Sequence, residues 1–240
     1  MFTLVDKTMD AMFYEQSLIN KMEIAMYNYL LFDLDGTLTD SGAGIINSVL
    51  YALKKFDIEV KDQAQLYVFI GPPLVESFQT FYHFSPEQAL QAVCYYREYF
   101  SEKGIFENKV ISGIEALLDE LNRSGKKLVV ATSKPEEYTI KILKHFNLIS
   151  YFQFVAGATM DETRNSKTAV IAYALEHIGV VSKSEVVMIG DRKHDIEGAK
   201  NNHIDSIGVL FGYGDRKELE QAGADYIAEN VEELKHLLKN

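Results

Sequence analysis

The chain has no tryptophan, only four prolines and a single cysteine, Cys94, in 240 residues. One thiol excludes an internal disulfide framework and a cysteine-rich zinc site, and it agrees with a reducing, cytoplasmic setting. Basic residues are also scarce: 24 lysines and arginines against 35 aspartates and glutamates leave a net charge of −11. A binder of nucleic-acid polymers needs a basic stripe to displace counterions from phosphates, so that class is set aside. Any anionic substrate must instead be drawn in by a local site. No stretch reaches the roughly 20 consecutive apolar residues of a membrane span. The N-terminal segment carries Asp6, Asp10, Glu15 and Glu23 and lacks the uninterrupted apolar centre of a secretion signal. Internal repeats, low-complexity tracts and Pro/Gly-rich linkers are absent as well.

What is present suits a soluble globular protein. Hydrophobic residues make up 47% and charged residues 25%, and the length allows one core plus a modest second lobe. The chain is organised around Tyr27–Ser41, YNYLLFDLDGTLTDS. There a short apolar run, read as a buried strand, delivers Asp33 and Asp35 onto a glycine turn. Ile45, Ile46, Val49, Leu50, Leu53 and Phe56 then recur at helical spacing behind Asp40-Ser41. Residues from about Ile58 to Val110 read as helices separated by breaks, with a capping box at Ser85-Pro86 and Gln88 and a stop near Gly104. Beyond them strands and helices alternate: KLVVA (127–131), Phe152–Ala156, Val186–Ile189 and Ile207–Leu210 are strands. Helices lie around Leu117, Ile140, 166–177 and Ile196, and two late helices are capped at Asp215 and Asn230. Ser133 to Glu136 reads as another capping box. Short connections between alternating strands and helices imply a doubly wound, Rossmann-like parallel sheet with both faces covered. The expected division is an inessential N-terminal extension (1–26), a core (27–42 and 110–240), and an inserted all-helical domain with its connecting helix (43–109).

Ligands in such sheets bind beyond the carboxyl ends of the strands, where strand order reverses. Asp33, Thr132 and Asp191 each stand at or within a residue of such an end. Two ionised carboxylates on one turn repel, and a divalent cation resolves this: Asp33 and Asp191, with Asp195 nearby, are the hard oxygen donors magnesium prefers. Asp35 is then left as a proton donor and acceptor. A calcium loop is excluded, because Thr37, Leu38 and Gly44 stand where a third ligand, a glycine and a glutamate are required. Thr132 and Ser133 sit where a strand becomes a helix N-terminus and can hold an anion, although Ser133 also suits simple capping. Lys167 opens a helix, where a cation opposes the helix dipole, which hints at a use. A solvated lysine is the competing reading, and Arg164 is a rival. Gly42-x-Gly44 lacks the third glycine of a dinucleotide fingerprint, Gly212 and Gly214 read as turn formers, Cys94 as a core thiol, and His194 as a surface residue.

DLDGTLTD, ATSK, Lys167 before a helix and GDRKHD, in that order and spacing, together resemble the four motifs of the haloacid dehalogenase superfamily. The resemblance runs from about Tyr27 to the end of the chain. It implies a Mg2+-dependent phosphomonoester hydrolase in which Asp33 is the nucleophile that forms an aspartyl-phosphate and Asp35 the acid and base. Leu34, Gly36, Thr132, Ser133 and Lys167 would surround the phosphoryl group, and Asp33, the Asp35 carbonyl and Asp191 would bind the metal, with Asp195 in support. The insert is similar to the helical cap of the phosphoglycolate phosphatase and 5′-nucleotidase-like branch, which implies a small soluble metabolite as substrate and a monomer or weak homodimer. Gly71 and Pro72 would cover the leaving group, and Arg97 or Lys103 would meet a second anion; a structural turn and solvated helix charges are the competing reading. A phosphosugar mutase and a non-catalytic phosphometabolite-binding regulator are the alternatives. The dehalogenase branch itself is disfavoured, because it does not keep the acid at the Asp35 position.

Overall fold

Strand β1 (Tyr29–Phe32) lies at the centre of a six-stranded, all-parallel sheet. The others are β4 (Lys127–Pro135), β5 (Phe154–Ala158), β6 (Val186–Gly190), β7 (Asp205–Val209) and β8 (Tyr226–Ala228), in the order β5-β4-β1-β6-β7-β8. These positions come from a computed structural model that describes residues 27–161, 163–180 and 182–239. The expectation for residues 1–26 lies outside the described residues. No described helix is long and apolar enough to cross a membrane.

Period-two alternation sends successive strand residues to opposite faces, and both faces are apolar. Leu31, Val129, Ala131, Val186 and Met188 pack under α6 (Lys167–Ile178) and α7 (Lys193–Asn201). Leu30, Phe32, Leu128, Val130, Val187 and Ile189 face α4 (Ile114–Arg123), α5 (Glu136–His145) and α9 (Val231–Lys239). Each such aliphatic or aromatic side chain, buried completely, contributes about 1.5–3 kcal/mol. A further helix, α8 (Arg216–Ala222), is capped by Asp215, which accepts from the Glu218 N–H at 2.8 Å.

The chain leaves the sheet after β1 through β2 (Thr39–Asp40) and returns through β3 (Lys109–Val110), and these two pair antiparallel. Between them lie α1 (Gly42–Lys54), a 3-10 segment (Gln63–Phe69), α2 (Leu74–Tyr82) and α3 (Pro86–Glu102). The capping box that opens α3 is present as expected: Ser85 Oγ accepts from the Gln88 N–H, and Gln88 reaches back to the Ser85 N–H.

Several local readings need correction. Ser133 caps nothing. Strand β4 runs through it to Pro135: the register with β5 breaks after Ala131, pairing resumes at Pro135–Ala158, and α5 starts at Glu136 without a side-chain cap. The α1 helix ends at Lys54, so Phe56 packs on the core from the turn that follows. Cys94 is exposed, since α3 turns Val93 and Tyr96 inward instead. The short strands β2, β3 and β8 leave too little periodicity to be seen from sequence.

Candidate active site

Residue Phe32 pairs with Val130 on one side and Ile189 on the other. Asp33, Thr132 and Asp191 therefore leave three adjacent strands at nearly one height. The chain fills β4 and β5 on one side of β1 before crossing to β6 on the other, so this edge is the switch point of the sheet.

Asp33, Asp191 and Asp195 each offer a carboxylate oxygen in a group spanning no more than 4.8 Å. All three are buried. Lys167 Nζ lies 2.6 Å from Asp33 Oδ1 and 2.6 Å from Asp195 Oδ1, and it also donates to the Ala131 carbonyl at 3.0 Å. The lysine thus comes from α6 to neutralise one side of the acidic cluster. Asp195 Oδ2 accepts from the Arg192 N–H at 3.1 Å, while its Oδ1 has the ion pair with Lys167 but no hydrogen-bond partner among the described residues. Asp191 Oδ2 accepts from the Tyr213 N–H at 2.7 Å, whereas its Oδ1 is buried with no hydrogen-bond partner among the described residues.

The electrostatics follow from this crowding. Burial is the largest cause that pushes the Asp33 carboxyl up to about 6, opposed by Lys167 and reinforced by Asp195 and Asp35. Burial, then Asp195 and Asp33, raise Asp191 well above the usual carboxylate range. Burial acts to lower Lys167, but the pull of Asp195 and Asp33 outweighs it and the net shift is upward. An unpartnered carboxylate oxygen among buried acids, with one lysine available, leaves negative charge short of a cation. The donors are hard oxygens and fit a small divalent ion.

Two glycines make the cluster possible. Gly36 has φ +81°, and a Cβ there would lie 2.2 Å from Asp191 Oδ2; at Gly212 a Cβ would lie 2.4 Å from the Asp191 Cβ. The loop carrying Gly212, Tyr213 and Gly214 is therefore part of the site, a role beyond the simple turn its sequence suggested. The Gly36 N–H is donated to the Thr39 carbonyl at 2.7 Å, so this residue serves by close approach and not as a donor to an anion. Leu34 is buried, and its carbonyl accepts from the Leu38 and Thr39 N–H groups.

Asp35 is held from two sides. Ser41 Oγ donates to its Oδ1 at 2.5 Å, and Lys134 Nζ sits 3.0 and 2.8 Å from its two oxygens. Lys134 is buried and lies 4.7 Å from the Phe100 ring centroid of α3. Sequence reasoning missed this lysine, having assigned its neighbours to a helix cap. Its only signal was a position two residues past Thr132 in a strand that had not yet ended.

A cleft of about 760 Å³, open mouth included, lies over Asp33 and Asp35 between the sheet edge and the helices. Thr132, Ser133, Lys134 and Asn165 line it from the core; Gly71, Pro72 and Arg97 line it from the helical segment. Lys103 does not belong to this wall. It is exposed at the end of α3, with Nζ 6.0 Å from the Tyr99 ring centroid, because α3 turns Tyr96 and Phe100 toward the cleft and Lys103 outward. Arg164 is engaged elsewhere, with Glu136 and the Gly157 carbonyl. His194 is half-buried at the start of α7 and is not one of the three clustered ligands.

Residues 30–209 match the family model described as haloacid dehalogenase-like hydrolase. The chain is 40% identical to a 5′-nucleotidase of Pseudomonas aeruginosa over 89% of this chain and 96% of that protein. It is also 36% identical to the tyrosine-protein kinase PtkA of Mycobacterium tuberculosis, over 87% and 72% of the two chains. The crystal structure of a predicted phosphatase from Clostridium acetobutylicum superposes with a TM-score of 0.86 at 51% identity, covering 88% of this chain and 97% of that one. The chain belongs to the haloacid dehalogenase-like hydrolase family. Within that family it is an enzyme of the phosphoric monoester hydrolase kind.

Proposed function

We propose that the protein is a Mg2+-dependent hydrolase of a small phosphorylated metabolite, working through an aspartyl-phosphate on Asp33. The observation that carries this reading is the convergence of Asp33, Asp191 and Asp195 within 4.8 Å, with Lys167 on one flank and an unpartnered Asp191 oxygen on the other. Asp33 and Asp191, with the Asp35 carbonyl, would hold the metal, while Asp195 acts from behind by fixing Lys167. A bound Mg2+ would supply charge neutralisation for the phosphoryl group.

A carboxylate oxygen of Asp33 attacks phosphorus, and the bond from phosphorus to the leaving oxygen breaks as that oxygen takes a proton from the Asp35 carboxyl. The Asp35 carboxylate then takes a proton from water, whose oxygen attacks phosphorus and releases Asp33 and phosphate. Lys167 and the Thr132 hydroxyl steady the phosphoryl oxygens throughout.

The segment 43–109 serves as the cap that excludes water and selects the leaving group. Its contribution to the cleft wall is largely apolar: Ile45, Phe69, Pro72, Leu74 and Phe100. Such a wall suits the flat body of a nucleoside 5′-monophosphate better than the two-carbon acid of phosphoglycolate, which offers little apolar surface to bury. Arg97, whose Nη1 donates to the Met160 carbonyl at 3.3 Å, stands at the rim for a further polar group.

The test is phosphate release from p-nitrophenyl phosphate and from a panel of nucleoside monophosphates, sugar phosphates and phosphoglycolate, with and without Mg2+. Metal-dependent release that Asp33→Asn abolishes in a folded protein is expected. Turnover that survives Asp33→Asn would remove the nucleophile from the scheme. Isomerisation of a sugar phosphate without phosphate release would make the protein a mutase, and absence of any turnover would leave a binding protein.

A further inference from the structure

We infer that Arg192 is a positioning residue, which pins the cleft wall formed by residues 70–74 to the core beside the proposed metal-binding loop. The inference rests on the hydrolase reading of the cleft. Arg192 follows Asp191 directly, but its side-chain hydrogen bonds go to Glu218 and Ile70 and not to the clustered carboxylates. Its Nη1 donates to the Ile70 carbonyl, and its Nε donates to Glu218 Oε1 at 2.9 Å. Glu218 is itself fixed: it also accepts from the Lys193 N–H at 2.8 Å, and its own N–H donates to Asp215 Oδ1 at 2.8 Å. The guanidinium therefore has a rigid anchor on α8 and spans to a backbone carbonyl of the helical segment.

The geometry around Gly71 fits this role. Its φ is +107°, and a Cβ there would sit 3.1 Å from Arg192 Cγ, so the loop passes directly over the arginine stem. From that crossing the chain runs through Pro72, Pro73 and Leu74, all of which line the cleft above Asp33 and Asp35. Prolines give the wall stiffness but no N–H with which to fasten itself. The covalent links between helical segment and core run through the chain on either side of β2 and β3, whereas Arg192 fastens the loop itself. Arg97 to the Met160 carbonyl and Lys134 under Phe100 are separate polar crossings that a change at residue 192 leaves in place. A lysine does not reproduce the latch, because one ammonium cannot reach in two directions as the guanidinium fork does.

If the loop samples an unpinned state, the apparent substrate affinity falls in proportion to the pinned fraction. The experiment compares wild type, Arg192→Lys and Glu218→Gln, all loaded with Mg2+, by kcat and KM for p-nitrophenyl phosphate and by amide hydrogen exchange. For Arg192→Lys, KM should rise about tenfold with kcat within about threefold, the signature of lost uniform binding. Exchange at Gly71 and residues 74–77 should quicken while β1 and β6 stay protected. Glu218→Gln, which leaves Arg192 intact but weakens its anchor, should move both readouts the same way by less. Wild-type KM in both variants, faster exchange without a KM change, or a KM change without faster exchange would each overturn the inference. A wild type that hydrolyses no phosphomonoester would sink the hydrolase reading alone, and exchange would still judge the latch.

Discussion

Replacing Asp33, the proposed nucleophile, should make the metal-free protein more stable, and the gain should depend on pH. The Asp33 carboxyl, ordinarily near 3.8, is pushed up to about 6 by burial among Asp195 and Asp35, with Lys167 offsetting only part of that cost. Asp33 therefore binds its proton more tightly in the folded chain than in the unfolded one. Between these two values the folded state carries more protons, so its contribution to stability is complete below pH 3.8 and is lost as pH rises through about 6. At 1.36 kcal/mol per unit, the shift of about two units costs roughly 3 kcal/mol at neutral pH. Asparagine has no charge to desolvate. In excess chelator, Asp33→Asn should be more stable than wild type by up to about 3 kcal/mol at pH 7.5 and nearly equal to it at pH 4, while losing turnover. Urea unfolding followed by far-ultraviolet circular dichroism at pH 4, 6 and 7.5 measures this directly. A variant less stable than wild type at pH 7.5, or a difference that ignores pH, would refute the electrostatic account of the cluster.

With Mg2+ bound as proposed, wild type should gain about 2.7 kcal/mol at a hundred times the dissociation constant, and Asp191→Asn should abolish that gain; an unchanged gain would remove Asp191 from the proposed metal site. Lys134→Met leaves Asp35 buried without its cation and should cost about 3–5 kcal/mol by chemical denaturation, and a loss under about 1 kcal/mol would mean that Asp35 finds another partner. Gly36→Ala combines a left-handed backbone with a methyl group driven into Asp191. It should lose at least about 2 kcal/mol of stability together with the Mg2+ response, whereas a folded, metal-responsive variant would show that the turn can relax.

Much of the architecture was readable along the chain because it depends on local rules. Apolar runs of strand length, helices opened by Ser85 and Asp215, and the glycine stop after α6 at Gly179 all appear where short-range periodicity and capping put them. The acids of the site were readable too, since a carboxylate at a strand end in a parallel sheet has few places to go. Ser133 and Cys94 were misread for the same reason that the rest succeeded. A local pattern was trusted where a tertiary one prevailed: pairing with β5 that resumes at Pro135 carried the strand past Ser133, and the choice of inward face on α3 went to Val93 and Tyr96.

Sequence alone therefore singled out the candidates for chemistry: Asp33 and Asp35 on one turn, Thr132, Lys167 and Asp191 at the ends of separate elements. The tertiary structure decided how their charges are balanced. Lys134 meets Asp35 across 99 residues, Tyr213 orients Asp191 from a loop 22 residues away, and Arg192 reaches the Ile70 carbonyl over 122. Those partners depend on strand order and on the path of the chain out to the helices and back. Neither is encoded in any short stretch, because long-range pairing is settled by the packing of the whole sheet and not by the propensities of its pieces.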